Sequence, residues 1–129
     1  MKRSEALTPL SREHHQALVT AVRLKKAGAV SEAELNTCWQ WVMQQKQSFL
    51  DHFREEENYF GDLLKGSIRE QFYSDHRYLT EQLADEHLMG SEILTFAERL
   101  QRHVRFEERE MFPWLEEHCS SVLAERSAR

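Results

Sequence analysis

SEILTFAERLQRHVRFEEREM, residues 91–111, is the stretch whose periodicity decides the fold. Ile93, Ala97, Leu100, Val104 and Met111 recur at helical spacing and draw one apolar stripe down one face. His103 and Glu107 interrupt that stripe. They are four residues apart, so both project from the same face, one turn from each other. A polar pair in an apolar stripe needs partners on neighbouring elements.

The rest of the chain repeats the pattern. A first helix opens at Thr8 and Pro9, or at Ser11, and ends near Gly28. Its stripe is Leu18, Val19 and Val22, with His15 one turn before Leu18. A second begins at the capping-box pair Ser31 and Glu34 and runs to about Phe60, before Gly61. Cys38, Val42, Phe49, Phe53 and Phe60 form its stripe, interrupted by His52 and Glu56. A third begins at a second such pair, Ser67 and Glu70, and ends near Met89 and Gly90. Ile68, Phe72, Leu79 and Leu83 flank His76 on its stripe. The fourth opens at Ser91 and runs to about Met111, where Pro113 disturbs it, and a short amphipathic segment follows. Glycine (4) and proline (2) are scarce, so turns are few and short, and short connections make neighbouring helices antiparallel. The expected fold is all-α: an antiparallel up-down-up-down four-helix bundle with a short C-terminal helical tail, one domain for the 129 residues.

Composition narrows the function classes. The net charge is -5, with Lys and Arg scattered among acids, which argues against a nucleic-acid face. No apolar run approaches the ~18 residues that span a bilayer. The opening MKRSEALTPL has a basic pair without an apolar stretch behind it, so no signal peptide is expected. Cys38 and Cys119 lack metal or redox spacing and read as reduced thiols in a cytoplasm.

Residues on facing antiparallel helices share a height when their sequence midpoint falls at the intervening turn. The midpoint of His76 and His103 is at Met89 and Gly90. That of His52 and His76 falls between Gly61 and Gly66. That of His15 and His52 lies a little beyond the Gly28–Ser31 turn, which asks for a bend or an extra turn at the start of the second helix. Four histidines then occupy one layer. His87 does not: it lies eleven residues past His76, ~16 Å along a helix axis.

The motif H-x-x-x-E occurs twice, as His52/Glu56 and His103/Glu107. Alone, such a pair is usually a surface contact, and a single core histidine is more often hydrogen-bonded than ligated. Four heights and two repeated motifs coinciding point instead to a metal site of His15, His52, Glu56, His76, His103 and Glu107. Mixed imidazole and carboxylate donors favour iron, and six ligands are too many for one tetrahedral zinc. Two ions ~3.5–4 Å apart, bridged by Glu56 and Glu107, would use the set. His14 points ~100° away from His15 and reads as an outer neighbour, a gate or an exposed residue. His118 reads as a surface residue. Glu55, Glu57, Glu108 and Glu110 read as a solvated face and outer partners of the ligands.

The segments SREHHQAL (11–18), FLDHFREEENYF (49–60), DHRYL (75–79) and LQRHVRFEEREMFPWLE (100–116) resemble the successive signature segments of the hemerythrin-like, or HHE cation-binding, domain family. The likeness covers about residues 8–117. It implies a di-iron site on the same six residues, with two ions per chain, oxo-, hydroxo- or carboxylate-bridged. It also implies a small diatomic or peroxide ligand in a monomer or homodimer. Peroxide decomposition is a possible activity, although no substrate-positioning group is visible beyond the ligands. Lining by Phe49, Phe53, Phe72 and Phe106 would suit a small, weakly polar ligand. Since some members are regulatory, the alternative is an iron- or oxygen-sensing, partner-binding helical domain using the tail after Pro113 and the Trp39/Trp41 region. A metal-free helical interaction domain ranks last, because it leaves four core histidines unexplained.

The sequence departs from the oxygen-carrying members at Phe72, where those place an imidazole one turn before His76. Tyr59, seven residues after His52, could fill the gap or simply pack. Losing an imidazole to an exchangeable oxygen donor favours ferric over ferrous iron. Reduced protein exposed to air is therefore expected to oxidise quickly rather than carry oxygen reversibly, and Phe72→His is expected to slow that oxidation. Absorption spectra taken in air and then under argon check this: a long-lived oxygenated spectrum that reverts to the ferrous one refutes it.

Overall fold

The computed structural model describes residues 5–127, and the Lys2–Arg3 pair lies outside them. The described residues are helical, with no strand among them. The order is α1 (Thr8–Val30), α2 (Glu32–Gln44), α3 (Lys46–Phe60), α4 (Gly66–Leu83), α5 (Ser91–Phe106), α6 (Phe112–His118) and α7 (Ser120–Ser127). A 3₁₀ turn, Gly61–Leu63, follows α3, and a π-helical segment, Glu107–Met111, joins α5 to α6. α1 packs against α2, α3 and α5, while α4 packs against α3 and α5, so the long helices enclose one interior.

The ends of these helices differ from the sequence expectation for local reasons. α1 continues past Gly28, because that glycine serves packing rather than termination: a Cβ there would come 2.8 Å from Leu94 Cδ2. Ser31 does cap α2, accepting a hydrogen bond from the Glu34 amide at 3.1 Å. Ser67 caps nothing, since α4 already begins at Gly66 after an N-cap at Lys65 that makes no side-chain bond. The expected single second helix is broken at Gln45, where the backbone turns to φ -108°, ψ 3°. The bend thus falls mid-way rather than at the start. The Gln45 amide reaches back only to Val42, at 2.9 Å. α4 stops at Leu83 rather than near Met89. Beyond it, Asp85 accepts the His87 amide on its carboxylate and the Trp39 indole N–H on its carbonyl, bonds that a continuing helix would not make. The fourth helix is regular only to Phe106, the π segment carries it on to Met111 as expected, and Pro113 does not disturb it. This proline sits in the first turn of α6, where a missing N–H costs nothing, directly after the widened π turn.

Two apolar clusters form the core. Leu24, Trp39, Leu79, Phe96 and Leu100 belong to one, while Leu7, Phe60, Phe72, Phe112 and Leu123 belong to the other. The tail is part of the second, since Leu115 and Leu123 are buried in it. Trp39 is fully buried and Trp41 half-buried under the Arg23 guanidinium, which argues against the Trp39/Trp41 region as a partner surface. Both cysteines are free. No helix of the described residues is long and apolar enough to cross a membrane.

Gly90 precedes α5 at φ 59°, ψ -132°, a conformation open essentially to glycine alone. Gly90→Ala is expected to cost about 1–3 kcal/mol of folding stability, readable as a lower urea midpoint at unchanged slope.

Candidate metal centre

The four helix faces converge on two carboxylates. Glu56 on α3 and Glu107 at the head of the π segment are both buried completely. Around them stand His14, His76 and His103, each at most 3% exposed, and the half-buried His52. His14 Nε2 lies 2.9 Å from Glu107 Oε1 and 3.4 Å from Glu56 Oε2. His52 Nε2 is 3.4 Å from Glu56 Oε2, and His76 Nε2 is 3.2 Å from Glu56 Oε1. His103 Nε2 is 3.2 Å from Glu107 Oε1.

Apart from the long His14–Glu56 hydrogen bond, these approaches are close without being well made as hydrogen bonds. Glu56 Oε1, both oxygens of Glu107, and Nε2 of His76 and His103 are buried and have no aligned hydrogen-bond partner. Orphaned buried groups of this kind each cost about 1–3 kcal/mol, so five in one place require an explanation. The 2.9 Å separation of His14 from Glu107 is an ion-pair distance that lacks hydrogen-bond alignment.

The other nitrogen of every ring is tied down. Nδ1 of His14 meets Glu108 at 2.9 Å, that of His76 meets Glu57 at 2.7 Å, and that of His103 meets Asp75 at 2.9 Å. His52 Nδ1 bonds Glu13. A carboxylate on Nδ1 fixes the proton there, turns Nε2 inward as the free donor and raises its basicity, as in carboxylate–histidine–metal arrangements.

The donor atoms divide into two overlapping sets, His14, His52, Glu56 and Glu107, and Glu56, His76, His103 and Glu107. Within each set the atoms lie within 4.8 Å of one another. The two carboxylates belong to both sets, and either set could hold a cation. Orphaned oxygens at the centre and inward Nε2 atoms are what such a cation would satisfy.

Five of the six residues expected from sequence, His52, Glu56, His76, His103 and Glu107, come together here. His15 does not: it is exposed, and its place is taken by His14. The buried face of α1 is Leu10, His14, Ala17, Ala21 and Leu24, not the Leu18, Val19 and Val22 stripe, and Val22 is exposed. Spacings of four and three through Leu10, His14, Ala17, Ala21 and Leu24 were the available signal. His118 is exposed, as expected, while His87, which the stripe placed on the third helix well away from the histidine layer, lies beyond the end of α4 and is exposed. Glu57 and Glu108 act as outer partners, while Glu13 and Asp75 in that role were missed. The midpoint of Asp75 and His103 falls at the same turn as that of His76 and His103, so Asp75 shares the height of the histidine layer.

A cavity of about 670 Å³ opens onto the centre between α1 and α3, lined by His14, Phe49, His52, Phe53, Val104 and Glu107 among others. Phe72 does not line it. Its ring is fully buried 4.1 Å from that of His76 and closes the other side. Phe106 faces away, into a separate cleft. Tyr59 lines a surface hollow with Asp62 and Arg126, apart from the centre. Phe112 stacks on His14 with ring centroids 5.4 Å apart. The π segment contributes here. Its 112-to-107 amide–carbonyl bond widens the turn from which Glu107 and Glu108 both face the His14 ring.

Comparison with protein-family models, with curated proteins and with solved structures finds no match to this chain.

Burial by itself lowers the histidine pKa values, and the surrounding carboxylates more than reverse this. Glu107, Glu108 and Glu56 push His14 up to about 12. His52 rises to about 9 through Glu56 and Glu13, and His103 to about 10 through Glu107 and Asp75. Burial would raise Glu56, but His14, His52 and His76 hold it well below its ordinary range. In chelator-treated protein the raised histidines stabilise the fold fully below their unfolded value of 6.5, and that stability is lost as pH climbs through their folded values, from about 9 for His52 to about 12 for His14. The depressed Glu56 contributes above 4.5 and its contribution is lost on acidification. Thermal melts of chelated protein should therefore be highest between these two values and fall steadily from pH 6.5 to 10. A flat or rising melting temperature over that window would contradict the arrangement.

Proposed function

We propose that this chain is a hemerythrin-like protein, an antiparallel up-down-up-down four-helix bundle that holds two iron ions and binds or turns over a small oxidant such as dioxygen, peroxide or nitric oxide. The single observation that carries the reading is the cluster of five orphaned buried donor atoms, surrounded by imidazoles whose outer nitrogens are held by carboxylates. One ion would sit on His14 and His52, the other on His76 and His103, with Glu56 and Glu107 shared. Iron bound there would supply exchangeable positions and electrons to the oxidant.

The chain's own residues do the rest. Glu56 and Glu107 bring negative charge into the interior, offsetting cationic charge that burial would otherwise exclude. Glu13, Glu57, Asp75 and Glu108 orient the four rings and hold their Nδ1 protons. Phe53 and Phe72 pack on His76 from two sides and keep water from it. The cavity beside His14 and His52, walled by Phe49, Phe53 and Val104, admits a small molecule of low polarity. His52 is the most open of the four rings, so exchange with solvent is favoured on that side.

Elemental analysis of protein expressed with iron available should give about two irons per chain. His14→Ala, His76→Ala and His103→Ala should each lose most of the metal, while His15→Ala and His87→Ala keep it. One zinc and no iron in the wild type would sink the di-iron reading. Metal loss on His15→Ala with retention on His14→Ala would reverse the assignment on α1.

A further inference from the structure

A second cleft, about 550 Å³, lies on the other flank of α5, between it and α4. Arg99, Arg102, Arg105 and Arg109 line it, with Gln71 and Ile68 of α4 opposite and Asp75 within. In a chain of net charge -5 this is a local concentration of positive charge. Nothing in the centre described above uses these guanidinium groups as ligands.

The acids nearby leave most of this charge uncompensated. Asp75 already accepts from His103 at 2.9 Å and from Gln71 at 2.8 Å, and its one arginine neighbour is Arg99, at 4.0 Å. Arg99 also stacks over Tyr78 at 4.2 Å. Glu98 feels the charges of Arg102 and Arg105, but its carboxylate is bonded by Lys25 at 2.7 Å. No ion pair among the described residues engages Arg102, Arg105 or Arg109, and all three are exposed. Glu110 is the single other acid lining the cleft.

We propose that this cleft docks an extended acidic segment of a partner protein. Arg99 to Arg109 span about 15 Å of helix axis, more than one phosphate or small dicarboxylate can bridge. Carboxylates spaced along a peptide match a row of planar guanidinium forks, each able to bond a carboxylate through two N–H groups. The half-buried Ile68 and Phe106 add an apolar strip to the same cleft, which suits a peptide better than a sugar–phosphate chain. The acidic character of the whole chain repels an acidic partner elsewhere and so fixes its orientation on this face. This proposal stands independently of whether the centre holds iron.

The probe is a fluorescein-labelled peptide of eight glutamates, followed by anisotropy against the full chain. Binding should weaken steeply with salt. The double variant Arg102→Glu/Arg105→Glu should bind at least about tenfold more weakly, and Arg102→Gln/Arg105→Gln should show an intermediate loss. Lys26→Glu/Arg77→Glu makes the same charge change as the first pair away from the cleft and should bind like the wild type. Equal loss in that control, or none in the cleft variants, overturns the proposal. An oligothymidylate that binds more tightly than the peptide would make the cleft a nucleic-acid surface. Inorganic phosphate that displaces the peptide at equal charge concentration would make it a small-anion site. Either result also overturns the proposal.

Discussion

Two carboxylates that cannot reach water, Glu56 and Glu107, set the terms for everything around them. A buried carboxylate is expensive, and removing its partners from an interior is strongly destabilising. The chain answers with four imidazoles drawn from four helices, and then answers each imidazole with a further carboxylate. Three of the outer acids, Glu13, Glu57 and Glu108, lie nearer the surface, where charge costs less, while Asp75 is itself buried. The polar layer therefore runs from a dry centre to a wetter rim without leaving the rings free to turn.

This layer lies between the two apolar clusters. Phe53 of one cluster approaches both His76 and His103, while Phe72 of the other covers His76 and Phe112 stacks on His14. The aromatic walls lower the local dielectric, which strengthens the charge interactions inside and makes any unmatched atom more costly. They also make the centre asymmetric. The His76 side is closed by Phe72, and the His14 and His52 side faces the cavity.

Two departures from regular helix serve the same layer. The break at Gln45 separates α2, which carries Trp39 and Val42 into the first cluster, from α3, which carries His52 and Glu56 to the centre. The π segment begins at Glu107 itself, so the irregular backbone falls where Glu107 and Glu108 both face His14. π turns inside helices often occur at functional sites because they re-aim side chains at modest cost.

Much of this was legible without coordinates. Periodicity alone determined the helical class and the buried faces of α4 and α5, because apolar spacing on a regular helix maps directly onto one side of it. Midpoints at the turns determined which histidines share a height, since rise per residue is constant. Height, however, does not distinguish neighbours: His14 and His15 differ by a fraction of a turn along the axis and by about 100° around it. Which of them turned inward was decided by the packing of α1 against α3 and α5, which buried Leu10, Ala17 and Ala21 and left Val22 outside. The roles of Glu13 and Asp75, the break at Gln45, the π turn and the arginine cleft beside α5 were decided by tertiary structure for the same reason. Each depends on which way a face points toward a neighbouring helix, and only packing fixes that rotation.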